Sequence, residues 1–128
     1  MLFGKPPTIK DELQFECPVR EGNTDLMTLE KYQENWQINA FEFKLTDIKK
    51  VLLQAEGNLP YCNKSWIVIP EEKKDVILNR YMNYLNEKKY IGVIGVHAGG
   101  RYTIIFQPKF KQDMTFSQKI LNMCMAEV

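Results

Sequence analysis

The sequence predicts an α/β (α+β) fold, a mixed β-sheet flanked by helices and extended by a C-terminal β-hairpin. Three observations carry this. Apolar and polar residues alternate through the first third of the chain, the period of a strand with one buried face. The period then becomes helical over Asp47–Glu56. A short continuous apolar run, Ser65–Pro70 (SWIVIP), follows, the pattern of a strand buried on both faces.

The elements follow in order. The first dozen residues hold prolines and lysines and read as irregular. Leu13–Val19 (LQFECPV) alternates and reads as a strand, and Gly22-Asn23 signals a turn. Thr24–Glu30 is a second strand, Lys31–Asn39 is polar and reads as a loop, and Ala40–Leu45 is a third strand. Short connections make these three an antiparallel meander. In the third strand, alternation places Phe41, Phe43 and Leu45 under a helix and Ala40, Glu42 and Lys44 on a polar face. Ile48, Val51, Leu52 and Ala55 form the stripe of a helix that Thr46 or Asp47 can cap and Gly57 can end. A strand, a crossover helix and the strand Ser65–Pro70 imply a parallel pair.

Glu71–Lys89 reads as a longer helix. Its acidic first turn (Glu71, Glu72, Asp75) and basic last turn (Lys88, Lys89) match the helix dipole. Tyr90–Val96 and Arg101–Gln107 form a hairpin around His97-Ala98-Gly99-Gly100. Ser117–Glu127 is a last amphipathic helix, with Ile120, Leu121, Cys124 and Met125 on one side. Together with Phe116 this stripe covers the sheet or forms a dimer contact.

The chain has 128 residues, 45% of them hydrophobic and 12% aromatic, which suits one ordered domain. Seventeen basic residues against 16 acidic ones give a net charge of +1, so any polyanion site must be a local patch. No apolar run approaches the roughly 18 residues of a membrane span, and MLFGKPPTIK has no signal-peptide core. A soluble cytoplasmic protein without membrane contact is expected. Cys17, Cys62 and Cys124 are odd in number and lack C-x-x-C spacing, and His97 is the only histidine. This argues against structural zinc and a disulfide framework, leaving reduced, partly buried thiols.

The candidate site lies on the third strand. Asp25, on the preceding strand, can lie beside Glu42. Two close carboxylates repel unless one holds a proton or a cation sits between them. Such oxygen ligands suit Mg²⁺ or Mn²⁺, and Lys44, two residues on, can orient a water or steady a phosphate. By itself E-x-K is also what any strand with one wet face carries. Lys49 and Lys50 open the following helix beside this site and can hold a DNA backbone, or form a solvated helix face. Lys109-Phe110-Lys111 interleaves an aromatic with charge, as single-strand binders do, a pattern that plain surface loops carry more often. GVIGVHAGG fits no phosphate-loop spacing and reads as a Gly-Gly turn beside a surface histidine, His97. Trp66 is core, whereas Trp36 lies in the polar loop on the side expected to meet DNA.

Asp25, then E-x-K at Glu42–Lys44, the helix DIKKVLLQAEG and the strand SWIVIP together resemble the core of the PD-(D/E)xK nuclease superfamily, the restriction-endonuclease-like fold. The resemblance covers roughly residues 12–70 of a single domain spanning 1–128, with a helix–hairpin–helix extension over 71–128. It implies a Mg²⁺- or Mn²⁺-dependent deoxyribonuclease acting in DNA processing, repair or restriction. By position, Asp25 and Glu42 would be metal-binding acids, Lys44 would help activate water, the Phe43 carbonyl would be a further ligand, and Gln54 would match a helical glutamine that reaches the site. Glu12 would stand in for the acid that the family's opening helix carries. The resemblance also implies a homodimer or a partner protein that completes the site. There are departures: Thr24 rather than proline precedes Asp25, Tyr61 lies seven residues after Gln54, and too few residues precede the first strand for a helix of average length. These keep open a second class, a nuclease-like DNA-binding or accessory protein with little hydrolysis.

Overall fold

Residues 11–20, 22–32 and 35–112 are described by the structure, a computed structural model. Six strands form one mixed sheet in sequential order: β1 (Asp11–Arg20), β2 (Gly22–Tyr32), β3 (Asn35–Phe43), β4 (Lys64–Pro70), β5 (Ile91–Val96) and β6 (Tyr102–Phe106). β1, β2 and β3 are antiparallel neighbours, the expected meander. β3, β4 and β5 are parallel, and β6 returns antiparallel to β5. The fold is mixed α+β.

The expected loop at Lys31–Asn39 is instead strand. β2 and β3 pair through it, with Leu29 opposite Ile38, Glu30 opposite Gln37 and Tyr32 opposite Asn35. Its polarity serves a side-chain network. Asn39 donates to Thr28 Oγ1 at 3.1 Å, Gln37 donates to Asn39 Oδ1 at 2.9 Å, and Asn39 and Thr28 are buried. Trp36 accordingly sits on β3, opposite Lys31, at the end of the strand away from Phe43.

Helix α1 (Ile48–Asn58) connects β3 to β4. Its buried stripe is Ile48, Val51, Leu52 and Ala55, as the spacing predicts, and Asp47 Oδ1 caps it by accepting from Lys50 N–H at 3.0 Å. The helix runs one residue past Gly57, to Asn58, and a 3₁₀ turn (Leu59–Tyr61) follows. The connection from β4 to β5 is helical throughout but irregular. A 3₁₀ turn (Glu71–Lys73) leads into α2 (Lys74–Val76), a π-helical stretch (Ile77–Tyr81) and α3 (Met82–Lys88). Ile77 and Leu85 from this segment join the α1 stripe over Ile67, Ile69, Ile91 and Val93, so both crossovers pack on one face of the sheet. The Tyr84 hydroxyl donates to Glu56 Oε1 at 2.7 Å and ties α3 to α1; that bond holds the Glu56 carboxyl below its ordinary range.

On the opposite face Leu26, Phe41, Trp66 and Ile94 form a second cluster, with the Phe41 and Trp66 rings stacked at 6.5 Å. This corrects the face assignment on β3. Phe41 packs away from α1 rather than under it, and Phe43 and Leu45 are exposed. Glu42 pairs with Ile67 and points to the helix side. The physical reason is that β3 is central, so both of its faces must be filled. The β5–β6 hairpin turns through Gly99 and Gly100, both with φ near +90° (91° and 93°), a conformation that suits glycine. The expected helix Ser117–Glu127, with its apolar stripe, lies outside the described residues. No helix among the described residues is long and apolar enough to cross a membrane.

Two substitutions test this packing. Trp66→Ala, which empties the centre of the second cluster, is expected to cost about 3–5 kcal/mol in urea unfolding. Asp47→Ala, which removes the α1 cap, is expected to cost about 1 kcal/mol.

Candidate functional site

The site is built where β2 and β3 reach the start of α1. The β2–β3 register runs to Leu26 opposite Phe41, and Asp25 and Glu42 are the next residues beyond that pair. Asp25 Oδ2 accepts a hydrogen bond from the Phe43 N–H at 3.0 Å. The carboxylate is thereby pinned to the peptide unit between Glu42 and Lys44.

Glu42 is fully buried. Its Oε2 accepts from the Asn58 side-chain amide at 2.8 Å, and Asn58 Oδ1 accepts from the Thr24 hydroxyl at 2.7 Å. Thr24 and Asn58 are also fully buried. This chain of polar groups ties the C-terminal end of α1 to β2 and β3. The reading of Glu42 as solvent decoration on a wet strand face therefore does not hold.

Gln54 lies one helical turn before Asn58 on the same side of α1. Its Oε1 is buried and makes no hydrogen bond among the described residues. Asp25 is thus tied to the end of β3, and Glu42 to α1 through Asn58. No group of three or more His, Cys, Asp or Glu side chains capable of holding a metal occurs among the described residues. The oxygen donors that these candidate residues carry are two carboxylates, the Phe43 carbonyl and the Gln54 amide oxygen. Hard donors of this kind suit Mg²⁺ or Mn²⁺ rather than a soft metal.

Lys44 follows the end of β3, and its N–H donates to the Val68 carbonyl at 3.1 Å. Its side chain lines an open groove of about 630 Å³, together with Phe43, Leu45, Val68, Pro70 and His97. The groove sits at the carboxyl ends of the three parallel strands, the place where open α/β sheets commonly bind ligands. His97 Nε2 lies 2.9 Å from Thr103 Oγ1 and 3.6 Å from Glu71 Oε2.

The other candidates fall in two places. Lys49 and Lys50 are exposed in the first turn of α1, close in sequence to Lys44. Lys109 and Lys111 are at the other end of the sheet: Lys109 N–H donates to the Lys89 carbonyl at 2.8 Å, and Lys111 N–H to the Asn63 carbonyl, just before β4, at 3.0 Å. Glu12 pairs with Leu29, four residues along β2 from Asp25. Sequence reasoning missed Thr24, Asn58 and the Glu71–His97–Thr103 group. Asn58 had a signal, because it continues the buried stripe three residues after Ala55. The Glu71–His97–Thr103 group had none, since only the sheet brings its members together.

Cys62 is fully buried, and its Sγ donates to the Asn58 carbonyl at 3.2 Å. Burial pushes its thiol up from an ordinary 9.0 to about 12. No protein-family model matches this chain, and no curated protein is detectably similar to it in sequence.

Glu42→Ala and Asn58→Ala are each expected to cost about 2–4 kcal/mol, as removal of one partner strands the other in the interior. A double-mutant cycle on the pair should give a coupling above about 0.5 kcal/mol. For Cys62 the unfolded thiol ionises before the folded one. Stability from this group is therefore complete below pH 9.0 and is lost as pH rises towards about 12. Chemical unfolding of Cys62→Ala across that window should show a shallower decline than wild type.

Proposed function

We propose that this protein is a Mg²⁺- or Mn²⁺-dependent nuclease that hydrolyses DNA phosphodiester bonds, built on a restriction-endonuclease-like core. The observation that carries this reading is the bond from the Phe43 N–H to Asp25 Oδ2, which holds a cross-strand carboxylate against the E-x-K segment. The order of elements, an antiparallel meander followed by a helix and a parallel strand, is the order that the resemblance implies.

The ion would be held by Asp25 and Glu42, with the Phe43 carbonyl as a further oxygen, and Gln54 would support the site. Bound there, it supplies charge to stabilise the scissile phosphate and acidifies a water. The chain's own groups do the rest. Asn58 fixes the Glu42 carboxyl through its amide hydrogen bond, so that the group does not reorient as charge develops nearby. Lys44, at the lip of the groove, steadies a phosphate oxygen or orients the attacking water. Lys49 and Lys50 project from the start of α1 and suit contacts to the DNA backbone.

A second reading, a nuclease-like DNA-binding or accessory protein with little hydrolysis, draws on the complete burial of Glu42. A carboxyl closed off in this way acts first as a structural group.

Cleavage of supercoiled plasmid and single-stranded DNA with Mg²⁺ or Mn²⁺ separates the two readings. The nuclease reading expects metal-dependent cutting that falls by about 100-fold or more in Lys44→Ala. It also expects a Mn²⁺-induced rise in Tm that disappears in Asp25→Asn. DNA binding without cutting, indifferent to Asp25→Asn, would establish the accessory reading.

A further inference from the structure

The groove beside Lys44 is unlike a surface made for a DNA duplex. Phe43, Leu45 and Val96 are among the exposed large hydrophobic residues of the chain, at 44%, 76% and 38% exposure, and all three line it. Val68 and Pro70 form part of its wall. Its polar side chains are those of Lys44 and His97. A duplex presents phosphates outward and hides its base faces by stacking, so this wall would desolvate phosphates and repay little of that cost. An unpaired base has the opposite character, with apolar faces and polar edges.

We infer that this groove receives one unpaired nucleotide of the DNA strand, its base stacked on Phe43 and its edge facing His97, which makes single-stranded or frayed DNA the substrate class. The inference rests on the nuclease reading for its link to chemistry. The occupant follows from continuity. Phe43 carries the stacking face on its side chain while its N–H holds the Asp25 carboxylate, and Lys44 borders both the groove and the E-x-K segment. A base on Phe43 therefore lies beside Lys44, whose ammonium can meet its phosphate. The groove, at about 630 Å³, lies in the range of roughly 300–1,000 Å³ typical of small-molecule sites, and admits a nucleotide but no duplex.

His97 is built into the wall rather than left as a loose surface side chain. Its Nε2 is placed between Thr103 Oγ1 (2.9 Å) and Glu71 Oε2 (3.6 Å). Gly95 makes the arrangement possible, because a Cβ there would overlap Glu71 Oε2 and come within 2.9 Å of Ile105 Cδ1. With Nε2 so engaged, the ring is oriented and Nδ1 is left to meet a base edge.

The test is fluorescence anisotropy of a labelled oligothymidylate, and of a labelled duplex of mixed sequence, in EDTA so that no cleavage enters. Wild type is expected to bind the single strand at least tenfold more tightly than the duplex. Phe43→Ala, whose backbone N–H and so its bond to Asp25 are retained, should weaken single-strand binding about 5- to 150-fold and leave duplex binding unchanged. Phe43→Trp should restore binding, with quenching of the new indole by the base. Single-strand affinity unchanged in a folded Phe43→Ala, equal loss for both nucleic acids, or no measurable single-strand binding by wild type would overturn the inference. A binding result obtained in EDTA is independent of whether the protein cuts with Mn²⁺, so failure of the nuclease reading and failure of this one are separately visible.

Discussion

The hydrogen bond from Asn58 to Glu42 is the constraint on which this end of the molecule depends. A carboxyl at the centre of a sheet is costly to bury, and only close polar partners make it tolerable. Asn58 supplies one and is itself held by the Thr24 hydroxyl. Because Asn58 closes α1, the bond ties the end of the helix to β3. Gln54 lies one turn back on the same side of the helix. Cys62 adds a thiol bond to the Asn58 carbonyl and seals the corner.

Around this corner the sheet divides its labour. The centre is filled on both faces, by Ile67 and Ile69 under the helices and by Trp66 and Phe41 on the other side. Toward the carboxyl ends of β3, β4 and β5 the apolar residues continue but lose their cover, and Phe43 and Val96 are left exposed. The same strands that build the core thus present an apolar groove at their ends. Lys44 lines it, and Asp25 is pinned to the peptide of Phe43, another of its lining residues. An apolar recess bordered by Phe43 and Lys44, with a carboxylate held to the Phe43 N–H, is a more specific arrangement than E-x-K on a wet strand.

Much of this was legible beforehand. The apolar stripe of α1, the central burial of SWIVIP, the parallel pairing around α1 and the terminal hairpin follow from periodicity, because a helix or strand must hide one face whatever its neighbours are. The proximity of Asp25 to the E-x-K segment followed from a meander with short turns. The stretch Lys31–Asn39 misled because buried polar side chains that satisfy one another look, one at a time, like loop residues. The faces of β3 were inverted because alternation gives the partition of residues and not which set meets the helix.

The sequence by itself determined the order and type of the main elements and the pairing of the middle strands, since these rest on local periodicity and chain connectivity. Tertiary structure alone decided that Glu42 is interior, that Asn58 and Thr24 hold it, and that Lys109 and Lys111 lie far from Lys44. It also decided that Glu71, His97 and Thr103 meet, which no spacing announces. The reason is common to all of these. Burial and encounter depend on which face a second element covers and on cross-strand register, and a chain read residue by residue carries neither.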